Sequence, residues 1–298
     1  MSRIFYFNIT YGCNNSCVFC YSHNTTHDSS TYNEIPFDEF SSYLLRSKLT
    51  QNDRVILNGG EPLLHSELLE LLKFTDNVGC ETLIYTNGRL LLNLYHHNFK
   101  NRFRFIVPIH GSEKIHDKIT GVKGSYNETI YALKKISESS NFYIDIKFII
   151  NNYIVSDDFA YEKFEESLSN IVFNNYVHIT KMAETVISRR NNINSVDDLH
   201  ASKYTKRIFD YYKTKNYKIK LFDTCIYDIL DHYNPSINVQ EDEVDVYFKD
   251  FSQERKIILH QTKEGNCSAC KYKNYCRSAV NEYKVLEYCN GSFHYGLE

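Results

Sequence analysis

Short runs of β-branched and aromatic residues alternate with amphipathic helical runs through the first two-thirds of the chain. This alternation limits the fold more than any other feature. Strands are expected over residues 4–9, 54–57, 82–85, 103–109, 143–150 and 177–182. Helices are expected over 37–49, 65–74, 127–136 and 159–168. Pro36 stands just before the first of these and Ser125 is placed to cap the third. Strands separated by helical crossovers pair in parallel, because a right-handed connection carries the chain back to the same end of the sheet. The expected fold class is therefore α/β, a partial (β/α)6 TIM-like barrel. Ligands of such sheets bind at the C-terminal ends of the strands.

The character changes after this region. A polar stretch over 191–198 leads into a helical pattern over 200–215, and strand-like runs follow at 218–222, 243–248 and 256–260. The expected organisation is a core barrel over 1–195, a connecting helix within 196–220 and a small C-terminal domain over 221–298.

Composition narrows the function. Of 298 residues, 42% are hydrophobic and 24% charged, with a net charge of −3, which gives no general basic surface for nucleic acid or an acidic membrane. No stretch is long and apolar enough to span a bilayer, and the first strand begins almost at once, without an apolar signal segment. The expected compartment is the cytoplasm, where thiols stay reduced. Nine cysteines then need a reason other than disulfides. Cys13, Cys17 and Cys20 fall within eight residues, and Cys267, Cys270 and Cys276 within ten, while Cys80, Cys225 and Cys289 stand apart. Close spacing of this kind indicates metal or cluster ligation. Cys80 reads as a small buried apolar residue.

The first triplet lies on the loop after strand one. Three thiolates from one loop leave one iron of a [4Fe–4S] cube open, and an open coordination position marks a catalytic centre. A structural zinc site is the competing reading of the triplet alone. The spacing C-x3-C-x2-C, with the aromatic Phe19 before the third cysteine, resembles the signature of the radical S-adenosylmethionine (SAM) superfamily. Asn58-Gly59-Gly60-Glu61-Pro62 after strand two and Thr86-Asn87-Gly88 after strand three resemble two further elements of that family, in the same order.

The resemblance implies that Cys13, Cys17 and Cys20 hold the catalytic cluster and that SAM chelates its fourth iron. It implies cofactor contacts from Phe19, from Gly59, Gly60, Glu61 and Pro62, and from Thr86 and Asn87. His110 after strand four faces cofactor or substrate, and Asn151 or its neighbour Asn152 after strand five binds the ribose. His116 and Asp117 are read as bracing their loop rather than as site residues. Arg189 and Arg190 either pair with a carboxylate at the barrel mouth or are plain surface charges.

In the tail, C-x2-C-x5-C resembles the "twitch" form of the longer "SPASM" domain, implying one auxiliary [4Fe–4S] cluster held by Cys267, Cys270, Cys276 and a fourth ligand. Cys225 is preferred for that place over Cys289, and a four-thiolate zinc site is the rival physical reading. The family chemistry is reductive cleavage of SAM to a 5′-deoxyadenosyl radical that abstracts hydrogen from a substrate. The leading expectation is maturation of a ribosomally made peptide. The early first strand leaves leader recognition to a separate leader-peptide-binding protein or a groove on the core. The alternative is a radical dehydrogenase or epimerase acting on a small molecule such as a sugar, and a neighbouring gene for a short peptide separates the two. Either needs an external electron donor such as flavodoxin or ferredoxin. A cluster- or zinc-bearing interaction protein is a third reading, which the full cofactor signature disfavours.

Overall fold

The structure is a computed structural model that describes residues 3–20, 34–101, 103–138, 142–156, 176–182, 186–193, 196, 198–214, 218–222, 243–250, 253–263, 280–283, 286–289 and 292–295. Seven strands lie side by side in chain order, each parallel to its neighbour: β1 (Ile4–Thr10), β2 (Arg54–Gly59), β3 (Glu81–Tyr85), β4 (Phe103–Pro108), β5 (Phe142–Ile150), β6 (Tyr176–Lys181) and β7 (Lys218–Phe222). The connections carry the helices α1 (Phe37–Arg46), α2 (Leu68–Val78), α3 (Glu113–Thr120), α4 (Ser125–Ile136), α5 (Asn152–Val155), α6 (Val186–Arg190) and α7 (Asp198–Thr214). The α/β class and the six expected parallel strands are present. The helix expected over 159–168 lies outside the described residues.

The later strands sit differently from the sequence reading. The run at 218–222 is the seventh parallel strand, with Val177 opposite Ile219. At the other edge β8 (Glu243–Asp250) pairs in parallel with β1, Ile4 opposite Val246, and turns back as β9 (Gln253–Lys263). β10 (Val280–Tyr283) adds to β9, and β11 (Leu286–Cys289) with β12 (Ser292–Tyr295) forms a two-stranded hairpin. The resulting order is β10-β9-β8-β1-β2-β3-β4-β5-β6-β7. The physical reason is the open edge. A barrel of six strands that does not close leaves a row of backbone N–H and C=O groups on β1 and on β6, and tail strands satisfy both.

Side chains alternate between the two faces of each strand. Phe5, Phe7 and Ile9 on β1, Val55 and Leu57 on β2, and Phe105 and Val107 on β4 are fully or almost fully buried with Phe40, Leu44, Leu71, Leu72, Leu133 and Ile136 of the helices. Tyr6, Asn58, Tyr85, Ile106, Lys147 and Ile149 take the opposite face and line a cavity. Nearer the N-terminal ends of β4, β5 and β6, this second face holds a charge network. Arg104 Nη1 donates to Asp145 Oδ1 at 2.9 Å, and His178 Nε2 lies 2.9 Å from Asp145 Oδ2. The Arg104 guanidinium also stacks over the rings of Tyr143 and Tyr176, 5.0 and 5.1 Å from their centroids.

Asp145 is completely buried and His178 nearly so, so removing the carboxylate takes a buried acceptor from both Arg104 and His178. Asp145→Ala is expected to cost about 3–5 kcal/mol in urea unfolding, whereas Leu45→Glu at a 66% exposed position stays within about 0.5 kcal/mol of the parent. Equal stability of Asp145→Ala and the parent would show that the network does not hold the sheet together.

Candidate active site

The chain leaves β1 at Thr10 and turns across the C-terminal end of the sheet as the loop that carries Cys13, Cys17 and Cys20. This loop is held by backbone bonds on two sides. Ser16 and Val18 donate to the carbonyls of Thr120 and Ile119 at the end of α3, at 2.8 and 2.9 Å. Gly60 and Glu61 donate to the carbonyls of Thr10 and Gly12, both at 2.7 Å. That second contact explains the paired glycines. A Cβ on Gly59 would stand 2.1 Å from the Thr10 carbonyl oxygen, and one on Gly60 would stand 2.3 Å from that of Gly12. Gly59 also has φ +137°, where other residues are strained. The glycines let one strand end pack directly against the cysteine loop.

Glu61 follows them and is fully buried. Its Oε1 accepts from Leu63 N at 3.0 Å and Thr86 Oγ1 at 2.6 Å, and its Oε2 accepts from Asn87 N at 2.7 Å. Burial pushes its carboxyl up to about 6, against the pull of these donors. The carboxylate thus ties the 3-10 turn Pro62–Leu64 to the turn after β3. That turn in turn grips the cysteine loop, since Asn87 Nδ2 donates to Asn14 Oδ1 at 2.6 Å.

Arg89 completes the grip. Its Nη1 donates to the Asn14 carbonyl at 2.6 Å and to Asn15 Oδ1 at 2.8 Å, and its Nε donates to Glu128 Oε2 on α4 at 2.6 Å. The side chain is only 14% exposed.

These elements enclose a cavity of about 360 Å³ whose wall includes Cys13, Cys17, Cys20, Phe19, Gly59, Gly60, Thr86, Asn87 and His110. Across from them stand Tyr85, Lys147, Ile106 and Ile149. Lys147 Nζ sits over the Tyr85 ring, 5.4 Å from its centroid, and Asn58 donates to the Tyr6 hydroxyl. Burial pushes the Cys13 thiol up to about 11, partly offset by the Asn15 N–H and by Arg89, and burial raises Cys17 further. Buried thiols of this kind ionise when a metal takes the proton's place.

No group of three or more His, Cys, Asp or Glu among the described residues closes tightly enough to hold a single metal ion. The three thiols share one cavity wall and do not form a mononuclear site. Soft sulfur donors on one loop fit an iron–sulfur cluster. A second observation fits a ligand beside it. Nδ1 of His110, a residue 3% exposed on the same wall, is buried without a hydrogen-bond partner among the described residues.

Burial, with the charges of His116 and Lys147, pushes His110 well below its ordinary value and keeps the ring neutral. Its ring meets Phe19 edge-on at 5.4 Å. His116 braces it from behind, with Nδ1 accepting from His110 N at 3.2 Å. Asp117 accepts from Ser125 Oγ and Tyr126 N, both at 2.9 Å, and from Gly124 N. Burial would raise its carboxyl, but these donors hold it below the ordinary value. Both residues brace the loop, as the sequence suggests. Ser125, expected as the cap of α4, instead begins that helix, and Asp117 supplies the acceptor from outside.

Three of the expected cofactor residues do not line the cavity. Glu61 is buried behind the wall, Pro62 is buried in its turn, and Asn151 caps α5 by accepting from Tyr153 N and Ile154 N at 3.0 and 3.1 Å. Arg189 and Arg190 are exposed at the end of α6. Cys80 is buried, as expected. Cys225, Cys267, Cys270 and Cys276 lie outside the described residues, and Cys289 ends β11. Sequence reasoning missed Arg89 and Lys147. Lys147 had a signal, because Asp145 and Lys147 are the two charges in an otherwise apolar strand and share one face. Arg89 had none.

No helix among the described residues is long and apolar enough to cross a membrane. The chain is 26% identical over 197 residues to the Fe-coproporphyrin III synthase of Methanosarcina barkeri (strain Fusaro / DSM 804), covering 64% of this chain and 49% of that protein. It is 26% identical over 155 residues to the AdoMet-dependent heme synthase of the same organism, covering 51% and 42%. The chain thus spans about half the length, or less, of these curated relatives. Among solved structures it resembles native anSMEcpe with bound AdoMet, with TM-score 0.65, 14% identity and coverage of 96% of this chain and 93% of that one. It also resembles Streptococcus suis SuiB bound to S-adenosylmethionine, with TM-score 0.64, 14% identity and coverage of 93% and 72%. These two show a shared fold.

Residues 7–169 match the family described as the Radical SAM superfamily. That span is more than half the chain and takes in every residue of the cavity wall except Tyr6, and on this ground the chain belongs to the radical SAM superfamily.

Proposed function

We propose that the chain reductively cleaves S-adenosylmethionine at a [4Fe–4S] cluster held by Cys13, Cys17 and Cys20, and that it modifies a ribosomally made peptide. The observation that carries the first part is the single cavity wall shared by the three thiols, Phe19, Gly59, Gly60, Thr86, Asn87 and the unpartnered Nδ1 of His110. The bound cluster and cofactor supply one-electron reduction of the sulfonium and a 5′-deoxyadenosyl radical that abstracts hydrogen. The protein's own residues do the rest. The cradle around the cysteine loop fixes the ligands before any cofactor arrives, and neutral His110 offers a hydrogen bond without a competing charge. Ile106, Pro108 and Ile149 give the cavity apolar walls that limit water.

The peptide reading is supported by fold-level likeness over most of the chain. Solved relatives include SuiB bound to its precursor peptide SuiA and anSMEcpe with AdoMet and the Cp18Cys peptide. In this reading a separate protein or a groove on the core holds any leader, an external donor such as flavodoxin or ferredoxin brings the electron, and Cys225, Cys267, Cys270 and Cys276 hold one auxiliary cluster. The curated relatives favour a second reading. They are named as a heme synthase, an Fe-coproporphyrin III synthase and a probable GTP 3′,8-cyclase, so a small-molecule substrate such as a sugar remains the alternative.

Anaerobic reconstitution followed by dithionite and SAM tests the core of the proposal. The parent is expected to form 5′-deoxyadenosine, and Cys17→Ala is expected to form none while keeping tail-bound iron; full activity in that variant would overturn the ligand set. Cys270→Ala is expected to lose about half the iron and sulfide, one cube of two, and to go on cleaving SAM. Unchanged iron and sulfide would show that the tail holds no cluster.

A further inference from the structure

Arg89 is a half-buried cation that no step of the proposed chemistry uses. It reaches between the first two cysteines, donating to the Asn14 carbonyl and the Asn15 side chain, and pairs with Glu128 on α4. The pair is asymmetric. The Arg89 side chain is 14% exposed, whereas the Glu128 side chain is 53% exposed and faces water. Water screens this carboxylate more than the guanidinium, so Arg89 keeps part of its positive charge at the loop, where it opposes the buried Glu61 carboxylate. Arg89 acts at Cys13, at Glu61 and at His116, three groups on different elements around the loop.

We propose that Arg89 is a positioning residue that fixes the Cys13–Cys17 segment and, through its charge, raises the reduction potential of the cluster on that loop, with Glu128 as the opposing trim. The inference rests on the reading of Cys13, Cys17 and Cys20 as cluster ligands. Reducing an iron–sulfur cluster adds one negative charge, and a fixed cation nearby stabilises the reduced form. Hydrogen bonds to the atoms around the ligands act in the same sense. The fork of the guanidinium matters separately from its charge. Nη1 holds the acceptors on Asn14 and Asn15 while Nε of the same planar group holds Glu128, a division between two nitrogens that a lysine ammonium cannot reproduce.

The test is a redox titration of the reconstituted protein, followed by electron paramagnetic resonance. The signal component that changes when SAM is added identifies the cluster on this loop. Arg89→Met is expected to move its midpoint to lower potential and Glu128→Gln to higher potential, with the double variant between the two. Arg89→Lys keeps the charge and loses the fork, so it is expected to hold the parent midpoint while losing cluster faster on dilution.

If Arg89→Met fails to load iron, Glu128→Gln still decides the matter, because that carboxylate lies on α4, outside the cysteine loop, and bonds to Arg89. Midpoints of Glu128→Gln and of any loaded Arg89 variant that match the parent would overturn the proposal and leave Arg89 a purely structural brace. Absence of any SAM-sensitive signal in the parent would instead sink the ligand assignment on which the proposal stands.

Discussion

One buried carboxylate organises the upper end of this molecule. Glu61 has no contact with water and satisfies three donors from two different strand ends. Each of those donors would cost about 1–3 kcal/mol if left buried and unpaired, so the turn after β2 and the turn after β3 hold one geometry together. Asn87 carries that geometry to Asn14, and Arg89 carries it to Asn14 and Asn15. The backbone of Gly60 and Glu61 closes the circuit from below. The cysteine loop, which has no regular secondary structure over residues 11–20, takes its shape from this surround rather than from its own sequence.

The two faces of the sheet divide the labour. One is a conventional apolar interface of phenylalanine, leucine and isoleucine with the helices. The other is graded along the strands. The Arg104–Asp145–His178 network lies toward the strands' N-terminal ends, Lys147 with Tyr85 lies next, and the thiols with His110 lie at the C-terminal ends. Charges in the first layer satisfy one another, so they hold strands in place without presenting free charge to the cavity. The layer at the mouth is different in kind, because there a polar atom is left over.

Much of the fold was legible because strand and helix periodicities are local. The six parallel strands could be read from alternation alone, and the motifs at the ends of β1, β2 and β3 from spacing. What could not be read was non-local. Nothing in residues 218–222 says which edge they join, since either open edge of a part-closed barrel offers the same backbone groups. The motif glycines and Glu61 were legible as important but not in their structural part. Close approach between two chain segments leaves the same trace in a sequence as close approach to a ligand. Asn151 shows the same ambiguity, for an asparagine after a strand serves a helix cap as well as a ribose. Arg89 follows a turn and belongs to none of the motifs, so it left no mark.

The pairing of β8 with β1 has a consequence for how the protein is made. Ile4 finds its neighbour Val246 only after more than two hundred further residues have left the ribosome, and at about 5–20 residues per second that takes many seconds. Throughout that time the strand that leads into the cysteine loop has one bare edge. A bare edge invites pairing with other chains, and contacts of such long range form late in folding. The cysteine loop of the nascent barrel therefore sits beside an exposed edge until the tail strands arrive.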